Sequence, residues 1–418
     1  MSSVVRRYTA CVLAALSVLV TMPLGDQLGA GPGSTAQSAS DGAISFKPVP
    51  FSELPGWEED DHAAAFAAFL KSCSRVAVAA KSGNKAGKIA IAPELLAACA
   101  EAEKMPAGVS RKKAKSFFEA QFRPHAVVHK GAPGLLTGYF EPVLEGSRKP
   151  EGRFQTPIYK RPPDLVNLVE EAQRAVKGPV LTHGRRTPQG IVPYATRAEI
   201  DAGALANKGL ELLYLADAVD VFFMQVQGSG RVRLPDGSTT RVHYDGKNGH
   251  PYTSIGRYLI DKGLLAADKL SLAALQKWLR ADPERAKTVM HQNASYVFFR
   301  ELSGAEAENV LGVLEIPLTP GRSLAVDASV HALGTPVYVT APTLTHAVKG
   351  RPFQRLMIAQ DVGSAIKGPE RGDIYFGSGT AAGNLAGITK HPGRFFVLLP
   401  AKAAAERAAA APPAKQSE

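Results

Sequence analysis

Between Asp60 and Phe122 the apolar residues recur at helical spacing. Asp60 and Asp61 precede HAAAFAAFLKSCSRV, where Phe66, Phe69 and Leu70 share one face, so a helix is expected to start there. Pro93 suits the first turn of a second helix, running through Leu96 towards Lys104. Ser110 is placed to cap a third, RKKAKSFFEAQF. After Pro124 the period shortens. AVVHKGAPGLLTGYFEPVLEG reads as strands divided by glycine turns.

The middle of the chain mixes the two patterns. Residues 221–226 and 232–234 read as strands, residues 254–264 and 271–281 as helices, and Asp282-Pro283 opens a further helix ending near Asn293. From Pro317 onward short apolar runs (SLAVDASV, TPVYVT, QRLMIAQDVG, GDIYFGSG, RFFVLLP) alternate with Gly/Pro turns, which suggests a small β-barrel. The expected order is therefore a helical start, a mixed middle and an all-β end, with no repeat of solenoid length.

The ends differ in character. Arg6 and Arg7 precede a mostly apolar run over residues 10–24, followed by Gly29, Ala30 and Gly31; residues 1–30 read as a secretory signal peptide. Residues 31–45 read as a flexible leader, and the low-complexity stretch 401–418 as a disordered tail.

Composition narrows the classes. The 418 residues are 45% hydrophobic and 21% charged, which excludes a disordered or fibrous chain. A net charge of +11 suits an anionic partner (nucleic acid, a membrane surface or an acidic polymer) without choosing among them. Three cysteines exclude a disulfide scaffold or a Cys-rich metal site. After signal removal Cys73 and Cys99 remain; they either pair in an oxidising compartment or stay as two buried thiols.

Familiar catalytic motifs are missing: there is no phosphate loop, no H-E-x-x-H and no G-x-S-x-G, and the ten His show no ligand spacing. Gly-Ser-Gly in QVQGSGRVRL lies between two strand-like runs, so it reads as a hairpin or a backbone surface for a ligand. What remains is a set of carboxylates. Asp327, Asp361 and Asp373 each sit at or just beyond an apolar run and beside small residues, where a strand would present them at an open rim. Any one alone reads as a turn cap; three together favour a site.

Four blocks, LTGYFEPVLEGSR, FFMQVQGSGRVRL, LTPGRSLAVDASVHALGTPVYV and QDVGSAIKGPERGDIYFGSG, resemble the membrane-bound lytic murein transglycosylase A family, in the same order. The resemblance spans residues from about 46 to 400, and the last two blocks also resemble the three-Asp domain of other cell-wall enzymes. It implies a mainly β fold with flanking α-helices: a double-psi β-barrel domain from residues 46–141 and 306–400, and an inserted smaller β-domain, 142–305, across a deep substrate groove. The periodicity alone does not join the helical start to the β end.

The resemblance also implies a chemistry. Lytic transglycosylases cleave the β-1,4 bond between N-acetylmuramic acid and N-acetylglucosamine without water, the muramic acid O6 attacking its own C1. One carboxyl can then serve as acid and as base, whereas hydrolytic glycosidases need two. The family's acid matches Asp373, which Ile374, Tyr375 and Phe376 could desolvate. Asp361 and Asp327 match the other two aspartates, either catalytic or holding the rim. Thr137, Gly138 and Tyr139 match one cleft-lining stretch, and Gln225, Gln227 and Ser229 another from the insert. Lys367 is expected to pair with a carboxylate or touch substrate, and Glu141 is a rival acid ranked below Asp373. No cofactor or metal is implied. The implied partner is peptidoglycan glycan strands rather than nucleic acid, in the periplasm, with peripheral membrane association left open. Competing readings are a true hydrolase and a non-catalytic glycan-binding protein.

Overall fold

The computed structural model describes residues 44–81, 94–168 and 181–410. The expected signal peptide, nearly all of the leader, Pro93 and residues 411–418 lie outside the described residues.

The chain begins with β1 (Ser45–Pro48) and three helices, α1 (His62–Lys81), α2 (Leu95–Glu103) and α3 (Arg111–Gln121). Ser110 accepts the Lys113 N–H as expected of an N-cap. Then follow β2 (Phe122–Val128) and β3 (Leu135–Glu141). The chain next runs through β4 (Val143–Ser147), β5 (Thr156–Tyr159), β6 (Leu165–Asn167), β7 (His183–Thr187) and β8 (Gly190–Pro193). A one-turn α4 (Arg197–Glu199) sits in a Thr196/Glu199 capping box and leads to β9 (Glu211–Leu215). After α5 (Ala218–Gln227) come β10 (Ser229–Arg233), β11 (Thr239–Lys247), α6 (Ile255–Asp261), α7 (Leu272–Arg280), α8 (Pro283–Met290) and β12 (Val297–Leu302). The last part holds β13 (Ser323–Val326), β14 (Pro336–Ala341), β15 (Phe353–Val362), β16 (Arg371–Ser378), α9 (Gly379–Gly387), β17 (Lys390–Pro392), β18 (Arg394–Pro400) and α10 (Ala401–Ala410).

Among the described residues the strands form three sheets. The large one has nine strands in the order β1-β2-β18-β14-β15-β13-β16-β3-β17, mostly antiparallel, with parallel pairs β13–β15 and β16–β3. A six-stranded sheet, β12-β11-β10-β4-β9-β5, and a three-stranded one, β6-β7-β8, hold the strands between Val143 and Leu302. The protein is thus sheet-rich with flanking helices, and early and late parts of the chain share one sheet.

Packing shows why the helical start belongs to the β end. Phe66 and Phe69 of α1, Phe117 and Phe118 of α3 and Phe122 of β2 form one aromatic cluster with centroids 5.0–6.4 Å apart. Burying each such ring stabilises the fold by about 1.5–3 kcal/mol. Arg322 grips Asp60 through two bonds of 2.9 and 2.8 Å, and Asp60 also accepts the Leu356 N–H. Cys73 and Cys99 pair as a disulfide between α1 and α2, which decides the question that spacing left open.

Three expectations are corrected. Residues 221–226 form part of helix α5, not a strand. Asp217 caps its start by accepting the Val219 N–H, Gly228 ends it at φ +82°, and most of its side chains are buried. A short run that is apolar all round carries no period to separate helix from strand. Gly-Ser-Gly is therefore a helix-to-strand junction rather than a hairpin. Finally, Ala401–Ala410 is helical where an unstructured tail was expected; alanine has the highest helix propensity.

Candidate active site

Strand periodicity builds the site. On β3, Thr137 and Tyr139 share one face while Leu136 is fully buried on the other. On β16, Arg371, Asp373 and Tyr375 share a face while Gly372 and Ile374 enter the core. The parallel register sets Asp373 beside Thr137 and Tyr375 beside Tyr139. Gly138 lets β3 lie close to its cover: an added Cβ would meet the Phe376 ring at 2.5 Å and the Ala386 Cα of α9 at 2.9 Å.

A register shift brings in the second carboxylate. Leu324 pairs with Ala359, but Ala325 pairs with Asp361, leaving Gln360 as the extra residue. Gln360 is buried against α1, where it donates to the Ala68 carbonyl and Ser72 Oγ. Bulges re-aim side chains in this way. Ala325 also pairs with Asp373, so the two aspartates flank one small residue, their backbones two strand spacings or about 10 Å apart.

Each carboxyl has its own partners. Thr137 Oγ1 donates to Asp373 Oδ1 at 2.5 Å, and Tyr139 Oη donates to Asp361 Oδ2 at 2.8 Å. Asp361 Oδ1 also accepts the N–H groups of Val313 (3.1 Å) and Val362 (3.0 Å). Both side chains are partly accessible yet densely surrounded. Burial pushes Asp373 up to about 6 against the opposing pull of Thr137 and Arg371. Asp361 is likewise raised to about 6 by burial, its hydrogen bonds opposing and the Asp373 charge adding. Burial and the nearby Asp361 charge hold the Tyr139 hydroxyl well above its ordinary value, so it stays a donor.

Beside Thr137 lies a depression of about 230 Å³, walled by Phe223, Tyr252 and Leu272 on one side and Ile388 and Lys390 on the other. It joins the helices of the middle segment to α9 and β17 of the large-sheet part, and Thr137, which holds Asp373, stands on its wall.

The other candidates fall elsewhere. Asp327 is buried at a turn, where it accepts from Ser329 N–H and Oγ and from Gly368 N–H at 2.9 Å. It fastens the loop over residues 363–370 and bonds neither Asp361 nor Asp373. Lys367 is exposed, its Nζ 3.8 Å from Asp327. Gln227 reaches across to accept the Phe140 N–H at 3.0 Å. Gln225 and Ser229, also expected at the groove, are instead buried within the middle segment. Gln225 donates to the Val297 carbonyl, and Ser229 starts β10 opposite His243. The rival acid Glu141 is fully buried in a bidentate pair with Arg241 and accepts from Ser378 Oγ.

Two contributors escaped the sequence reading. Arg371 donates to Thr137 Oγ1 at 2.9 Å; its i, i+2 spacing from Asp373 was the available signal. The Val313 N–H had none, because the loop that carries it is placed only by tertiary contacts. Among the described residues no group of three or more His, Cys, Asp or Glu side chains could hold a metal ion.

Comparison with known proteins defines the class first. Residues 135–300 match the MltA specific insert domain and residues 322–399 the 3D domain. A membrane-bound lytic murein transglycosylase from Agrobacterium tumefaciens superposes with a TM-score of 0.76 at 38% identity, covering 87% of this chain and 99% of that one. Escherichia coli MltA with bound chitohexaose gives 0.59 at 30% identity, covering 85% and 92%. The curated membrane-bound lytic murein transglycosylase A of Vibrio cholerae is 36% identical over 286 residues, 68% of this chain and 70% of that protein. This chain belongs to the membrane-bound lytic murein transglycosylase A family and is an enzyme.

Proposed function

We propose that this enzyme cleaves the β-1,4 glycan backbone of peptidoglycan without water, leaving a 1,6-anhydro-muramic acid end, and that Asp373 is both acid and base. The observation that carries this reading is the Asp373 carboxyl itself. It is held by Thr137, which lines the depression, and burial raises it to about 6, so it keeps a proton to give at mildly acid pH.

The step balances within substrate and one side chain. Asp373 gives its proton to the leaving O4 as the C1–O4 bond breaks. The C6 hydroxyl of the same sugar bonds to C1, and its proton returns to Asp373. Holding nucleophile and electrophile in one ring supplies a large effective concentration, so no second carboxyl has to activate water. Asp361 is raised to about 6 as well, but its three donors fix its carboxyl beside the site, and in its ionised form it can offset positive charge developing at C1. Thr137, Tyr139 and Gln227 lie along the substrate path, and Gly138 sets the backbone there. Gln225 and Ser229 shape the middle segment from within. Asp327 and Lys367 hold the loop that follows Asp361.

The complex of the Escherichia coli relative with chitohexaose supports a linear glycan as ligand, and net charge +11 suits a polymer bearing lactyl and peptide carboxylates. The Cys73–Cys99 disulfide supports an oxidising, envelope location. Among the described residues no helix is long and apolar enough to cross a membrane. Mass spectrometry of products from purified peptidoglycan is the test. Anhydro ends are expected; reducing ends on every muramic acid product would replace this reading by a hydrolase with Asp361 activating water.

A further inference from the structure

We propose that Arg371 is a positioning residue which, acting through Thr137, fixes the oxygen of Asp373 that carries the acid proton. The inference rests on the reading of Asp373 as the acid.

The geometry leaves one arrangement of hydrogens. Arg371 Nη1 is anchored on the carbonyls of Gly372 (2.5 Å) and Leu135 (3.3 Å), which aims Nη2 at Thr137 Oγ1, 2.9 Å away. A guanidinium has donors only and does not lose its charge. Thr137 Oγ1 must therefore accept from Arg371. Its single proton then has one acceptor among the described hydrogen bonds, Asp373 Oδ1 at 2.5 Å. A hydroxyl oxygen already accepting from a cation is a poor acceptor for a second donor, so Asp373 does not donate back to it.

The consequence lies in the acid step. With Oδ1 engaged as an acceptor, the proton of neutral Asp373 sits on Oδ2. Once that proton has passed to the leaving oxygen, the new carboxylate charge is met at Oδ1 by a hydroxyl that the guanidinium polarises. Thr137 thus keeps the same orientation in both halves of the reaction, and only Oδ2 exchanges a proton. The other titratable or charged groups facing this corner are Asp361 on β15, Tyr139 on β3, Tyr375 on β16 and Lys390, whose Cα pairs with that of Thr137. None of them is bonded to Thr137 Oγ1.

The test compares Arg371→Met, Arg371→Lys, Thr137→Val and the Met/Val double variant in the full chain, by two readouts. Carbon-13 NMR titration of the Asp373 carboxyl without substrate should show Arg371→Met raising its pKa by about one unit, since a cation favouring the charged form is gone. Turnover on purified glycan should fall about tenfold in kcat with KM nearly unchanged. Arg371→Lys should restore most of it, because an ammonium can still donate to Thr137. In the Thr137→Val background the loss of Arg371 should cost less than about twofold. An unchanged carboxyl titration, a loss confined to KM, or full additivity in the double variant would overturn the relay. If Arg371→Met does not fold, Thr137→Val alone decides, since it should move the same titration upward. Reducing-end products would sink the transglycosylase reading while leaving the titration to judge the relay on its own.

Discussion

Glu141 on β3 and Arg241 on β11 meet as a buried bidentate pair, with Nε to Oε1 at 2.6 Å and Nη2 to Oε2 at 3.2 Å. The pair ties β3 of the nine-stranded sheet to β11 of the six-stranded one, two residues along β3 from Tyr139. It also occupies both Glu141 oxygens, Oε1 by Arg241 and Oε2 by Arg241 and Ser378, so neither is left to face a ligand. Removing one partner leaves the other charge buried and unpaired. Glu141→Gln should therefore destabilise by about 3–5 kcal/mol. Denaturant unfolding measures this, and a change below 1 kcal/mol would show that the pair is not what holds the sheets together.

Asp373→Asn is expected to keep binding to isolated sacculi while losing turnover by more than the ~10²–10⁴-fold of a single acid–base role, because the proposed mechanism gives the residue two. The amide keeps an oxygen to accept from Thr137, so the fold should survive. Co-sedimentation and solubilisation assays on the same preparation separate the two effects. Equal solubilisation by variant and wild type would remove Asp373 from the reaction.

The aspartate pair also predicts two pH effects of stated sign. With Asp373 as the proposed acid, kcat should fall as pH rises through about 6. For stability, both carboxyls are raised above 3.8, so the native state holds their protons more tightly than the unfolded chain. That contribution is complete below about pH 4 and is lost as pH rises through about 6. Asp361→Asn keeps an oxygen for the Val313 and Val362 N–H groups but cannot ionise. Its stability relative to wild type should grow from pH 4 to pH 7, reaching about 1–3 kcal/mol. Melting curves across that range check it; a difference that shrinks with pH contradicts the assignment.

Asp327 should behave unlike the other two aspartates. Its oxygens serve Ser329 and Gly368, so Asp327→Ala leaves those donors unmet and loosens the loop over residues 363–370. A loss of about 1–3 kcal/mol is expected, with turnover reduced far less than in Asp373→Asn. Kinetic constants and thermal unfolding of both variants decide; equal losses of turnover would put Asp327 back among the reacting groups.

Breaking the Cys73–Cys99 bridge by replacing both with Ser frees a loop closed over a separation of 26 residues. About 2–4 kcal/mol should be lost. Wild-type protein should show a matching drop in unfolding midpoint when reductant is added, and the double variant none.

Local signals in the sequence determined the elements whose ends they cap. Ser110 and Asp282-Pro283 marked two helix starts because an N-cap acts over three residues, and the strands after Pro317 were readable because short apolar runs and Gly/Pro breaks are local as well. The three aspartates could be singled out in the same way. Tertiary structure alone decided where each of them sits and what it bonds. Thr137 and Asp373 lie 236 residues apart, and only the β3–β16 register brings them together. A single bulge sends Asp361 to the site and Gln360 to the core, while Asp327 turns away to hold a loop. Nor could α5 be known for a helix, or Gln225 and Ser229 for buried residues, before packing closed round them. Chain neighbours set local conformation, but register and burial depend on partners far along the chain, and the proton affinity of a carboxyl depends on burial.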